Sequence, residues 1–354
     1  MRSKIFQFSI LPLLLLGATE MAHSQNANFQ VYIAFGQSNM EGAVNTPEAQ
    51  DKVVNPRFLE LPAVTCNSNG RSMTQGTWTP AIAPIVRCDT KISVVDWFGR
   101  TMADSLPTTD TIGLVVVAVG GTKIEGFDLD KYQAYYASQA SWMQSFAANY
   151  GGNPYGRLVA VAKQAQSRGV IKGVLLHQGE SNVGDNTWAS EVKKIYQKLL
   201  SDLGTTADKV PLLAGEVAPT GSSKGANTMI DALPKTIPTA KVVSSAGLTT
   251  TNGDGQNVHF DAPSYRTMGK RYAQTMLAIL KTQTPPTAIA PRVNLPTQDQ
   301  NCAVYDLRGA LVARYALAGL QSKEEGWNEV RKNLPIGIYW LRSASSTQQV
   351  FNRR

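Results

Sequence analysis

Histidine is the scarcest reactive side chain here: 354 residues hold three, His23, His177 and His259. Cysteine is equally rare, with Cys66, Cys88 and Cys302 and no Cys-x-x-Cys pair. Zinc sites need several thiolates and imidazoles at short spacings, so the sequence argues against a Cys/His metal cluster. Blocks of Lys and Arg are missing too. The formal charge of +8 would suit an acidic partner. The basic residues are scattered, however, and scattered charge reads as solubility rather than as a nucleic-acid surface. Charged residues make up only 17% and hydrophobic ones 43%. That balance excludes disorder as the default and allows one large α/β domain plus something small.

Long apolar runs are absent beyond the N-terminus. There, Arg2 and Lys4 precede a mostly apolar stretch, Ile5 to Ala18, that includes Leu11-Pro-Leu-Leu-Leu-Leu16. It is too short and too proline-broken to span a membrane. Ala22-His23-Ser24 supplies small residues where a signal peptidase reads, so residues 1–24 are predicted to be a secretory signal peptide. The expected location is therefore secreted, whether periplasmic, cell-surface or extracellular. Export permits a local Cys66–Cys88 bridge in one loop-like region, which leaves Cys302 odd.

Apolar runs and helical patterns alternate through most of the chain. Phe29–Phe35, Ile112–Val119, Ile171–Leu176, Val210–Val217 and Ala240–Ser245 read as strands. Helical periodicity covers Val94–Leu106, Tyr155–Ser167, Thr187–Leu203 and Pro263–Lys281. Such alternation predicts an α/β fold with a parallel, doubly wound sheet, its ligand site beyond the carboxyl ends of the strands. Residues 42–91 lack good periodicity and read as a long functional or braced loop. From Thr282 closely spaced prolines suggest an extended linker, residues 282–298, between an enzyme domain at 25–281 and a small β-module at 299–354. Domains joined this way move semi-independently, and a monomer is expected.

Four segments carry the chemistry. Gly36-Gln-Ser-Asn-Met-Glu-Gly42 follows the first strand and puts Ser38 on a strand-to-helix turn. It is neither a Gly-x-Ser-x-Gly elbow nor a phosphate loop. Val119-Gly-Gly-Thr122 follows the second strand, and Gly120 or Gly121 there could offer a backbone N–H to an oxyanion. Leu176-His-Gln-Gly-Glu-Ser-Asn182 crowds polar groups at the end of the third strand. Asp254-Gly-Gln-Asn-Val-His-Phe-Asp261 precedes the last helix of the domain. A serine needs a base to attack near neutral pH, and imidazole has a suitable pKa. His259 is the favoured base over His177, which sits at a strand end where a structural histidine is equally natural.

In this order the four segments resemble the blocks of SGNH hydrolases, most closely carbohydrate esterase family six and the sialate O-acetylesterase-like group, over residues 28–280. The resemblance implies a flavodoxin-like α/β/α sandwich with a parallel sheet. It also implies a serine esterase that deacetylates acetylxylan or a similar plant polysaccharide without metal or cofactor. By the same resemblance Ser38 is the nucleophile and His259 the base. The Ser38 and Gly121 N–H groups and the Gln178 side chain are the oxyanion donors. One departure matters: many SGNH enzymes carry an aspartate three residues before the histidine, where this chain has Gln256. Glu180 is the expected third member, with Asp254 and Asp261 as alternatives. A sialate or small-ester O-acetylesterase, and a non-catalytic glycan binder on the same fold, remain open. The C-terminal module loosely resembles bacterial sorting or anchoring domains, implying export or cell-surface machinery as a partner. Trp327, Tyr339 and Trp340 leave carbohydrate binding as its second reading.

Overall fold

A computed structural model describes residues 25–251, 255–283, 301–306, 311–316, 328, 332, 334, 337–343 and 346–352. The predicted signal peptide, Trp327, Asp254 and most of the predicted linker lie outside the described residues. The chain divides into two compact units, with the boundary after Leu280.

The first unit is built on a seven-stranded sheet. Its strands are β1 (Asn26–Gly36), β2 (Phe58–Glu60), β5 (Thr79–Pro80), β6 (Thr111–Ala118), β7 (Gly169–His177), β8 (Leu212–Gly215) and β9 (Lys241–Val243). A separate two-stranded ribbon comprises β3 (Cys66–Ser68) and β4 (Arg71–Met73). The sheet order is β5-β2-β6-β1-β7-β8-β9, parallel throughout except where β5 runs against β2. The helices are α1 (Ser38–Glu41), α2 (Val94–Ser105), α3 (Tyr132–Ala137), α4 (Ser141–Ala148), α5 (Pro154–Gln166), α6 (Trp188–Asp202), α7 (Asn227–Asp231), α8 (Leu233–Thr236) and α9 (Ala262–Gln283).

Both faces of the sheet are covered, which is why β1 reads as one continuous apolar run rather than an alternating one. Val31, Ile33 and Phe35 share one core with Leu158 and Val161 of α5 and Val192 and Leu199 of α6. Tyr32 and Ala34 share the other with Phe98 of α2 and Met268 and Tyr272 of α9. An α/β/α sandwich is therefore the fold of this unit.

Residues 42–91 are more than a loop. They add β2 and β5 to the sheet, and a Cys66–Cys88 disulfide with a Cα–Cα distance of 6.0 Å closes the ribbon region. Strands of two or three residues are too short to show a periodic pattern. Helix α2 starts with a capping box: Ser93 Oγ accepts from Val95 N–H, and Asp96 Oδ2 accepts from Ser93 N–H at 2.7 Å. The same hydroxyl donates to the Met40 carbonyl at 2.6 Å, tying α2 to the turn that bears Ser38.

The second unit contains a four-stranded antiparallel sheet, ordered β11-β10-β12-β13, from β10 (Asn301–Tyr305), β11 (Leu311–Ala316), β12 (Gly337–Ser343) and β13 (Ser346–Asn352). Among the described residues no helix is long and apolar enough to cross a membrane. Among them, no cluster of three or more His, Cys, Asp or Glu side chains could hold a metal ion.

Candidate active site

The carboxyl ends of β1, β6 and β7 lie side by side, so the turns after them meet. Gln37 N–H donates to the His177 carbonyl at 3.0 Å, and a Cβ on Gly36 would overlap that carbonyl. Only glycine lets the first strand turn so close to the third. Ser38 opens α1, and His259 Nε2 lies 2.9 Å from its Oγ across 221 residues of sequence. That is hydrogen-bond reach for general-base activation of a hydroxyl.

Asn39 holds the two residues together. Its Nδ2 donates to the Val258 carbonyl at 2.9 Å and to Glu180 Oε1 at 2.7 Å. Its Oδ1 accepts from Phe260 N–H at 3.3 Å and from the Tyr265 hydroxyl at 2.8 Å. The fully buried amide thus grips the backbone on both sides of His259. Sequence reasoning had quoted Asn39 within its motif and given it no role.

The expected acids are placed differently from one another. Asp261 caps α9, its Oδ1 accepting from Ser264 N–H at 2.8 Å and its Oδ2 from Thr249 Oγ1 at 2.5 Å. Glu180 Oε1 accepts from Asn39 Nδ2 and lies 3.8 Å from His177 Nε2.

His177 is buried, and burial pushes its imidazole pKa down to about 3. The Tyr272 hydroxyl donates to the Leu176 carbonyl at 2.6 Å, so its one proton is committed. The contact between His177 Nδ1 and that hydroxyl, at 3.2 Å, therefore has Nδ1–H as donor, which leaves a bare lone pair at Nε2 facing Glu180. His177 is a neutral structural residue in this arrangement.

Burial raises the Glu180 carboxyl from 4.5 to about 7, with the Asn39 hydrogen bond opposing the rise. The folded state thus keeps the proton longer than the unfolded chain. The resulting penalty is absent below pH 4.5 and complete above about 7. A Glu180→Gln protein is expected to match the wild type at pH 4 and to be the more stable by up to about 3 kcal/mol at pH 8. Urea unfolding at the two pH values measures this, and a difference that does not grow with pH would mean that the carboxyl is held ionised.

The oxyanion side requires one correction. Gln178 was expected to donate to the oxyanion, but its amide is spent internally. Its Oε1 accepts from Trp188 Nε1–H at 2.5 Å, and its Nε2 faces Asn182 Oδ1 at 2.7 Å and both Gln37 Oε1 and the Thr122 carbonyl at 3.2 Å. Gln37 Oε1 accepts from Gln178 and from Ser181 N–H at 3.3 Å, and Gln37 itself lines the cleft beside Ser38. Gly120 N–H bonds the Glu41 carboxylate. The N–H groups of Ser38 and Gly121 have no partner among the described residues, and both residues line the same cleft.

This cleft, of about 400 Å³, is bounded by Ser38, Gly121 and His259 on the reactive side and by Arg87, Trp142 and Phe146 beyond. A larger hollow lies along α6 near Lys194 and Asp128, far in sequence from these groups and without a nucleophile–base pair. A serine and an imidazole are thus in contact at the mouth of this sheet, beside the Ser38 and Gly121 N–H groups. A family model described as "carbohydrate esterase, sialic acid-specific acetylesterase" matches residues 28–278, and the chain belongs to that family. Among solved structures, a protein from Arabidopsis thaliana is 20% identical, with a TM-score of 0.54 over 72% of this chain and 99% of that one. NanS is 15% identical, with a TM-score of 0.56 over 73% and 99%. A carbohydrate acetylesterase from Xanthomonas citri is 15% identical, with a TM-score of 0.49 over 90% and 74%. The first two share the fold.

Proposed function

We propose that the protein is a serine carbohydrate esterase that removes O-acetyl groups from plant cell-wall polysaccharide, acetylxylan foremost, by two-step acyl transfer. The observation that carries this reading is the 2.9 Å contact between Ser38 Oγ and His259 Nε2 in an open cleft. Ser38 Oγ attacks the acetyl carbonyl carbon while His259 takes its proton. The N–H groups of Ser38 and Gly121 and the Gln37 amide receive the charge that develops on the carbonyl oxygen. As the C–O bond to the sugar breaks, His259 returns the proton to the leaving sugar oxygen. Water, deprotonated by His259, then attacks acetyl-Ser38, and acetate departs as Ser38 recovers its proton. Glu180 acts a step away, by holding Asn39.

The sequence supports export through residues 1–24, a sorting or anchoring task for the C-terminal unit, and a monomeric enzyme. The test is acetate release from acetylated xylan, beside O-acetylated sialic acid and a small aryl acetate, with fluorophosphonate labelling of Ser38. Release from xylan with labelling at Ser38 is expected. Turnover of aryl acetate alone would reject the polysaccharide. A folded protein that neither turns over nor labels is a glycan binder.

The oxyanion assignment has its own expected result. Gln37→Ala should lower kcat on the aryl acetate by about 10²-fold with little change in KM, since the donor engages only the developing charge. An unchanged kcat would remove Gln37 from the oxyanion site.

A further inference from the structure

The part of the cleft that must hold the sugar has a composition of its own. Among the described residues that line it the one Lys or Arg is Arg87, only 4% exposed and paired with carboxylates through Nη1 and Nε. Nη1 donates to Glu41 at 2.5 Å and Nε to Asp89 at 3.1 Å. The guanidinium also stacks over the Phe146 ring, 4.9 Å from its centroid. Glu41 is buried with it, whereas Asp89 stands 55% exposed at the rim. One cation thus faces two carboxylates before Glu180 is counted. A substrate carboxylate needs an unspent arginine fork or a positive field to offset its desolvation. This lining offers neither, and Asp89 would repel it.

Beside this arginine the lining is aromatic. Trp142 is 50% exposed, an unusual state for so large an apolar side chain in a compact domain. Phe146, one turn on in α4, meets it edge-to-face at 5.7 Å between ring centroids. Its ring tip lies against Gly121, where a Cβ would sit 2.8 Å from Cη2. The indole therefore borders Gly121 within the cleft that Ser38 and His259 line. An exposed indole beside a polar reaction centre presents a flat apolar face, and the C–H face of a pyranose is its complement.

Resting on the esterase reading above, we propose that Trp142 is the platform for the acetylated sugar ring and that the ring it takes is uncharged. Neutral O-acetylated sugars are accepted, and those carrying a carboxylate, uronates and sialates alike, are disfavoured. The reading explains why an arginine next to the nucleophile is neutralised twice: it props Glu41 and Phe146 in place and does not serve as an anion receptor.

Two measurements test it. The first compares kcat/KM of wild type and Trp142→Ala on an acetylated xylo-oligosaccharide and on a small aryl acetate. The loss is expected to be at least about tenfold greater on the sugar ester, carried by KM, and largely restored in Trp142→Phe. Equal losses on the two substrates would overturn the platform. In the same assay the wild type should prefer the neutral sugar over an O-acetylated sialic acid by about tenfold or more, and Asp89→Asn should narrow that preference. Preference for the sialate would overturn the charge argument.

The second measurement is calorimetric binding of deacetylated xylo-oligosaccharide to the Ser38→Ala protein with Trp142 intact or replaced. It needs no turnover. If even the aryl acetate is untouched, the esterase reading falls, while sugar binding that depends on Trp142 still upholds the platform. Binding indifferent to Trp142 rejects it.

Discussion

Replacing Ser38 with alanine is expected to slow acetate release by at least about 10⁴-fold while leaving a folded protein. The hydroxyl touches His259 Nε2 at 2.9 Å and opens onto the cleft, so its removal strands no buried group away from water. His259→Ala should cost about as much. The double variant should be no slower than either single one, because a nucleophile and its base act as a unit. Acetate release under single-turnover conditions, beside thermal melting, decides the matter. A folded Ser38→Ala protein within tenfold of the wild type would end the acyl-serine route. Multiplying losses would mean that the two residues serve separate steps.

Asn39→Ala should produce the largest loss of stability of any single change at the site, about 3 kcal/mol or more. Four groups lose the Asn39 bond at once: the Glu180 carboxyl, the Val258 carbonyl, the Phe260 N–H and the Tyr265 hydroxyl. Each buried polar atom left unsatisfied costs about 1–3 kcal/mol, less whatever water recovers. Catalysis should suffer as well, since the segment carrying His259 is no longer gripped from both sides. A displacement of about 1 Å costs on the order of 10²-fold in rate. The measurements are chemical denaturation and kcat on an aryl acetate. If stability falls and kcat holds, Asn39 serves the fold alone. If neither moves, the brace is not the feature that positions the imidazole.

Much of this fold could be read from the chain, because its long elements obey simple periods. The run Phe29–Phe35 became β1, and the helix expected at Thr187–Leu203 became α6 at Trp188–Asp202. Residues 42–91 could not be read this way. Their strands β2 and β5 hold three and two residues, and the sheet rather than the local sequence specifies them. The pairing of Ser38 with His259 was legible from the need of a serine for an imidazole base and from the family resemblance, and the structure brings their atoms to 2.9 Å.

Roles that depend on amide orientation were not legible. Gln37 and Gln178 are chemically alike in sequence, and only the network separates the one that lines the cleft from the one consumed inside. A signal existed for Asn39, since it neighbours the serine in a motif of otherwise assigned residues, but periodicity says nothing about which backbone an amide will hold. Glu180 was expected as the third member beside Ser38 and His259, and it lines the same cleft. Its tie to Asn39 needed coordinates.

Trp188 stands in helix α6, well behind the cleft, yet it sets a direction there. An indole N–H can only give a proton, so the Gln178 amide must turn its oxygen toward Trp188 and its nitrogen toward Gln37. Gln37 must in turn present oxygen inward and nitrogen outward. The chain of amides behaves as a polarity ratchet, legible in one sense only, with its pawl buried in the hydrophobic core. The orientation of the Gln37 amide is thus inherited from a residue in α6. A phenylalanine there would preserve the packing and erase the instruction.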